Sequence, residues 1–379
     1  MSQDFVRRMP SGGFSGTRSV GLGEKFHLDV TIILLLLVIC TYGLLILYSA
    51  VGQQTAPVVS QLVKIGVAFV VMIVMAQISP IFYLRIAPWL FGFGILLLIA
   101  VLFVGTTVNG SQRWLRIPGV LNFQPSELMK LVIPMMLATY FHDRHLPPLR
   151  KHVFWALIMI TIPVVLIGRQ PDLGTALLIG TSGLLVLLLA GISWRYIIGA
   201  LVTGLMAAPA LWYVMRDYQR TRVMILLDPE RDPLGAGWNI IQSKTAIGSG
   251  GLFGKGLFQG TQSHLDFLPE SQTDFIVAVL AEELGLIGVT LLLILYILLV
   301  GRGVIISIQA QDTFGRLLAG TITFTFFVYV FVNIGMVSGI LPVVGVPLPL
   351  VSHGGTSILT LFAGFGIIMS VHTHRRITL

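Results

Sequence analysis

Ten separate stretches of this chain, each between 16 and 27 residues long, are almost wholly apolar: 30–51, 58–78, 86–106, 126–142, 153–168, 172–191, 194–215, 275–301, 314–340 and 348–371. A helix needs about 20 such residues to cross a bilayer. A backbone in lipid must also satisfy its own polar groups, so each stretch is expected to be helical. The fifth is the shortest. No strict apolar/polar alternation of the outer-membrane barrel kind is present. Only 11% of the residues are charged, against about 25% in soluble domains, too few to coat a surface facing water. The fold class implied is an all-α polytopic membrane protein of about ten transmembrane helices.

Three parts follow. Residues 1–29, with Pro10, Gly12, Gly13, Gly16 and the basic Arg7, Arg8, Arg18 and Lys25, read as a polar N-terminal tail; 30–371 is one transmembrane domain; 372–379 is a short C-terminal tail. The first apolar run is too long for a signal h-region and lacks a clear cleavage site, so it reads as a retained span. The net charge of +8 comes from basic residues flanking apolar runs. That pattern fits membrane orientation better than nucleic acid, for which no aromatic-basic platform exists. Arg85, Arg144, Arg150, Lys151, Arg195, Arg302, Arg316, Arg375 and Arg376 fall on the side of the N-terminal tail, while the opposite short loops hold only Arg113, Arg116 and Arg169. The bias puts both termini in the cytoplasm and the long segment 216–274, between helices 7 and 8, on the periplasmic side. A segment that long is uncommon unless functional, and short amphipathic pieces on the outer membrane surface are expected in it. The one cysteine, Cys40, allows no internal disulfide and no cysteine-based metal site.

Ionisable groups at membrane depth are costly and need a reason. Glu127 and Lys130 share a helix face, with Ser126 a plausible N-cap; they form either an internal ion pair or a site where Lys130 meets phosphate or sugar. Arg113 beside Trp114 offers either an interfacial anchor or an anion-and-stacking surface. Asp172, after Pro171, fits a helix cap. Arg220 and Arg222 stand just past the seventh run, where guanidinium forks suit phosphate, or else belong to a solvated mixed-charge helix. Ser271-x-x-Asp274 has the spacing of a capping box at the start of the eighth run. Glu282 and Glu283 follow, about 100° apart on a helix, so at most one faces any given cavity. The string Asn333 to Thr356, rich in Pro and Gly, reads as broken or re-entrant backbone lining protein or water. His353 within it reads as a packed, hydrogen-bonded residue, with no second ligand at metal spacing.

In this order, Ser111-Gln112-Arg113-Trp114, Gln124-Pro125-Ser126-Glu127-x-x-Lys130, Gln170-Pro171-Asp172-x-Gly174, Asp228-Pro229 through Gly235, Gly260-Thr261-Gln262-Ser263, Pro269-Glu270-x-x-Thr273-Asp274-Phe275, Ala281-Glu282-Glu283-Leu284-Gly285 and Gly345-Val346-Pro347-Leu348-Pro349-x-x-Ser352 resemble the SEDS family (shape, elongation, division and sporulation proteins) over about residues 27–375. The segments 260–263 and 279–283 resemble its elongation branch more than its division branch. Gln272 stands where the family usually has His, and His353 where it usually has Tyr.

The resemblance implies a peptidoglycan glycosyltransferase of the bacterial inner membrane. It would join lipid II units to an undecaprenyl-pyrophosphate-linked glycan chain with inversion and release of undecaprenyl pyrophosphate. Asp274 is the candidate general base, and Arg113, Lys130, Arg220 and Arg222 are candidate cations for the leaving group. Glu127, Asp172 and Ser352 complete the candidate substrate site. No cofactor is certain from the resemblance; a divalent cation (Mg or Mn) has room in such chemistry, and no protein metal site is expected. The implied partners are a class B penicillin-binding transpeptidase and other elongation-complex membrane proteins. A lipid II flippase or a non-catalytic scaffold are the rival readings of so many spans and a broken backbone.

Overall fold

A computed structural model describes residues 27–108, 111–116, 122–215, 217–231, 236–261 and 271–374. A helix stands at each of the ten apolar runs: α1 Val30–Ala50, α2 Thr55–Gln77, α3 Pro80–Val104, α4 Pro125–His142, α5 Arg150–Arg169, α6 Leu173–Leu189 and α7 Trp194–Val214. After the long segment come α10 Ile276–Gln309, α11 Thr313–Val337 and α12 Thr356–Thr373. Between them α8 (Asp217–Leu227), a 3-10 turn (Pro229–Arg231) and α9 (Ala236–Gly250) stand in the long segment, short helices among its described residues. Among the described residues seven helices are long and apolar enough to cross a membrane. The other three are α4, which carries Glu127 and Lys130, and the shorter apolar stretches in α6 and α7. The fifth run, the shortest in sequence, forms a full 20-residue helix, Arg150–Arg169. The tail 1–26, residues 262–270 with Gln262, Ser263 and Glu270, and 375–379 with Arg375 and Arg376 lie outside the described residues.

Burial sorts the helices into centre and rim. Of the most apolar stretch of α11, 67% of residues are buried, and of α12, 61%, against 22% for α2 and α3. The rim helices turn Val63, Val70, Trp89, Leu96 and Phe103 outward, an apolar area far too large for a water-facing surface. The centre packs α11 against α4, α6 and α10, and α12 against α2 and α4; α7 sits at the margin with little packing. One departure from an all-helical reading is small. Between α3 and α4, β1 (Thr106–Val108), β2 (Ser111–Arg116) and β3 (Asn122–Phe123) form an antiparallel sheet in the order β1-β2-β3.

A second departure lies inside α10. Gly285 takes φ +63° and ψ −161° and breaks the helix. The break strips intrahelical partners from neighbouring peptide groups, which in lipid must be re-satisfied. Loop 250–256 does this with four backbone bonds: the amides of Lys255 and Gly256 donate to the Glu282 and Glu283 carbonyls (both 3.0 Å). In return Leu286 and Ile287 donate to the Gly251 and Leu252 carbonyls (3.0 and 3.2 Å). At the other end of the bundle, Arg302 of α10 donates twice to Asp29 (2.6 and 3.1 Å), whose other oxygen caps α1, and His27 stacks on His374 at 4.0 Å.

Candidate active site

One end of the bundle opens into a cavity of about 580 Å3 lined from β2, α4, α6, α8, α9, α11, α12 and loop 338–355. Its size falls in the range of small-molecule sites. Loop 338–355 is the wall that makes it, and three contacts seat that wall. Gly174, in the first turn of α6, lies so close to the loop that a Cβ there would stand 2.7 Å from the Val344 carbonyl oxygen. Asn333, fully buried near the end of α11, donates its amide to the carbonyls of Val346 (2.7 Å) and Asp274 (2.9 Å). The Ser352 hydroxyl donates to the Thr273 carbonyl (2.5 Å) and accepts from the Leu348 amide (2.8 Å). The last two fasten the loop directly to the segment that carries Asp274.

Inside the cavity most charges are held in pairs. Lys130 donates to Glu127 Oε1 at 2.6 Å, and Thr360 of α12 donates to Glu127 Oε2 at 2.9 Å. The Lys130 ammonium also lies 5.1 Å from the centre of the Tyr329 ring, within cation–π reach. Glu127 is thereby fixed by two helices, and the ammonium is aimed by its partners rather than by its own flexible stem. Asp172 accepts four bonds: from the Thr175 amide (3.2 Å), the Thr175 hydroxyl (2.9 Å), Gln124 (3.1 Å) and Arg113 (3.3 Å). It caps α6, as its position predicts, and also anchors the guanidinium of β2. Arg222 lines the cavity from α8 and meets no carboxylate among the described residues. Asp274, half-buried just before α10, lines it from below the loop; a Cβ at Gly345 would lie 3.6 Å from its Oδ2.

Six of the eight residues singled out in sequence therefore bring charged side chains to the lining of one space: Asp274, Lys130, Glu127, Arg113, Asp172 and Arg222. Ser352 also lines the cavity, but its hydroxyl is committed to the Thr273 and Leu348 backbone. Arg220 is not in the lining; its guanidinium donates to the Trp212 and Tyr213 carbonyls, closing the end of α7. Two capping assignments shift. Ser126 does not cap α4, because the cap position is Gln124 and Pro125 opens the helix, the place where its missing N–H costs nothing. The 271–274 box does not cap α10, since Phe275 holds that position without a side-chain bond. Neither Glu282 nor Glu283 lines the cavity: Glu282 pairs with Lys255 at 2.7 Å and accepts from Thr261, while Glu283 accepts from Ser49 at 2.5 Å. Sequence reading gave Thr360 and Tyr329 no part; it named Gln124 only within a family-like segment and Asn333 only at the head of the Pro/Gly string, without the hydrogen bonds by which they build the site. Among the described residues no group of three His, Cys, Asp or Glu side chains converges to hold a metal ion.

A broken-helix bundle whose cavity is walled by an irregular loop defines a multi-pass membrane protein with an internal site toward one end of the bundle. The chain belongs to the FtsW/RodA/SpoVE family of cell cycle proteins, whose profile matches residues 28–377. It is 55% identical over 354 residues to peptidoglycan glycosyltransferase MrdB of Escherichia coli (strain K12), covering 93% of this chain and 95% of that one. It is 36% identical to a probable peptidoglycan glycosyltransferase FtsW of Trichlorobacter lovleyi, covering 90% and 92%. Among solved structures, a chain described with the coordination of polymerization and crosslinking by a peptidoglycan synthase complex superposes with a TM-score of 0.80 at 31% identity, covering 91% and 97%. The Thermus thermophilus rod shape determining protein RodA superposes at 0.69 and 29% identity, covering 92% and 98%.

Proposed function

We propose that this chain is a peptidoglycan glycosyltransferase that polymerises lipid II at the periplasmic face of the bacterial inner membrane, with Asp274 as general base. The observation that carries the reading is the meeting of one half-buried carboxylate, Asp274, with three cations, Arg113, Lys130 and Arg222, around one cavity. The names of its 55% identical relative and of its family support the reaction class. The loop-charge bias supports the orientation, with both termini cytoplasmic.

A sugar hydroxyl is a weak nucleophile at neutral pH, and a positioned base contributes about 10²–10⁴-fold. Asp274 takes the proton of the acceptor's 4-hydroxyl as that oxygen bonds to the donor's anomeric carbon from the face opposite the pyrophosphate. The carbon–oxygen bond to the pyrophosphate breaks, undecaprenyl pyrophosphate leaves with the electron pair, and the anomeric centre inverts. Charge grows on the leaving group, where fixed cations stabilise it most. Arg222, which meets no carboxylate among the described residues, takes the leading part, and Lys130 and Arg113, held by Glu127 and Asp172, are pre-aimed. The Ser352 contact acts one step back, positioning the loop against Thr273 and so against Asp274. A class B penicillin-binding transpeptidase is the proposed partner, supported by the synthase complex in which a structural relative is described.

The test is polymer formation by the purified chain from lipid II in detergent. We expect Asp274→Asn to lower turnover by at least about 10²-fold while lipid II still binds. Full activity in that variant removes Asp274 from the mechanism. No polymer from the unaltered chain, alone and with the transpeptidase, leaves a flippase or a scaffold.

A further inference from the structure

Among the described residues four cations of the bundle have a carboxylate: Lys130, Arg113, Lys255 and Arg302 meet Glu127, Asp172, Glu282 and Asp29. Lys64 does not. It is the tenth residue of the apolar helix α2, about 14 Å along the helix from its first residue. Among the described residues its ammonium meets no carboxylate; its polar partner is His353 Nε2 of loop 338–355, at 3.3 Å.

That contact has a consequence for the imidazole. An ammonium only donates, so Nε2 must accept and the hydrogen of a neutral ring resides on Nδ1. Nδ1 is buried and meets no hydrogen-bond partner among the described residues. His353 at the same time lines the cavity wall, and Gln61, one turn before Lys64, holds the loop on either side by donating to the Ser352 carbonyl (3.2 Å) and accepting from the Gly354 amide (3.4 Å). The ammonium carries three hydrogens, of which the His353 contact takes one and aims the rest, and no carboxylate meets the others among the described residues. The place of Lys64 and His353 is a different one from the Lys130 pair: Thr360 of α12 reaches Glu127 on α4, whereas Phe362 of α12 packs on Phe69 of α2, so the two cations belong to helices on different sides of α12. A charge left unpaired at membrane depth is expensive, and an anion arriving through the lipid removes that cost.

We propose that Lys64 and His353 form a second anion-binding subsite, taking the phosphate of a membrane-borne lipid beside the first cluster of Arg113, Lys130 and Arg222. The inference rests on the polymerase reading, in which two lipid-linked sugars must be held at once, each by its own phosphate. The same chemistry serves a phospholipid headgroup, and the test separates the two.

The probe is undecaprenyl pyrophosphate, titrated against the full chain and read as bound copies by native mass spectrometry, with phosphatidylglycerol in a parallel arm. We expect two copies on the unaltered chain, one on Lys64→Met, and two on Lys64→Arg. Lys64→Met removes a charge from an apolar helix, so it inserts no worse than the original. His353→Phe, which keeps the ring and removes both nitrogens, is expected to weaken the second copy at least about tenfold. Phosphatidylglycerol filling the second position as readily assigns the subsite to phospholipid. Two copies on Lys64→Met, or a single copy on the unaltered chain, overturns the proposal. Those counts are independent of turnover: polymer formation with unchanged stoichiometry in Lys64→Met sinks the subsite and keeps the polymerase, and a Lys64-dependent second copy without polymer does the reverse.

Discussion

At the scale of the residue, the Glu127–Lys130 pair is a buried ion pair whose members also line the cavity. Both side chains are largely withdrawn from solvent, and the ion pair at 2.6 Å is completed by the Thr360 hydroxyl. Removing one member of a buried pair strands the other and costs about 3–5 kcal/mol. Lys130→Ala is therefore expected to lower both the melting temperature in detergent and the amount of folded protein. Replacing both, as Glu127→Gln with Lys130→Met, leaves no stranded charge and restores the folded amount. Turnover per folded molecule stays low in the double variant, because the cation that faces the leaving group is gone. Full turnover there would reduce the pair to a structural contact. Of the two sequence readings of these residues, the internal pair is present, made by the three-residue spacing; the place of α4 in the bundle turns it toward the cavity, and the substrate contact is what the double variant tests.

At the scale of the element, the break in α10 sets where Asp274 stands. The half-helix before Gly285 begins directly after Asp274, and loop 250–256 clamps its far end through four backbone bonds. Gly285 is suited to this twice over. Its φ and ψ belong to a region only glycine adopts at low cost, and a Cβ there would stand 2.4 Å from the Gly254 nitrogen and 2.6 Å from the Leu252 oxygen. Gly285→Ala is expected to cost at least about 1–3 kcal/mol and to unseat the loop. Hydrogen exchange reads this directly: the Lys255 and Gly256 amides lose protection while those in the middle of α11 keep theirs. Unchanged protection at Lys255 would mean that the break is not held by this loop.

At the scale of the whole molecule, the site end and the opposite end are built differently. The site end gathers its charges around a cavity. The opposite end spends them on closure: Asp29 caps α1, binds Arg302 of α10, and lies 3.6 Å from His372 of α12, so the first and last helices are joined through one carboxylate. Asp29→Asn keeps the cap and weakens the charged bonds, an expected loss of about 1–3 kcal/mol. The melting temperature falls and turnover per folded molecule is unchanged, as measured by thermal unfolding beside lipid II polymerisation. A matching loss of turnover would show that the two ends are coupled.

What the amino-acid sequence determined alone was the set of helices. Transfer from water to lipid depends on the local run of residues, so the ten apolar stretches, the capping role of Asp172 and the interruption at 338–355 were legible along the chain. The convergence of Arg113, Asp172, Arg222 and Asp274 was visible only through resemblance, since spacing by itself left capping and interfacial anchoring as sufficient accounts of those residues. Tertiary structure alone decided the break at Gly285, the use of Ser352 as a clasp, the withdrawal of Arg220 to the end of α7, and the meeting of Lys64 with His353. Each depends on backbone approaching backbone, or on a donor finding its acceptor, between segments far apart in the chain. No periodicity within one segment records which distant partner will be there.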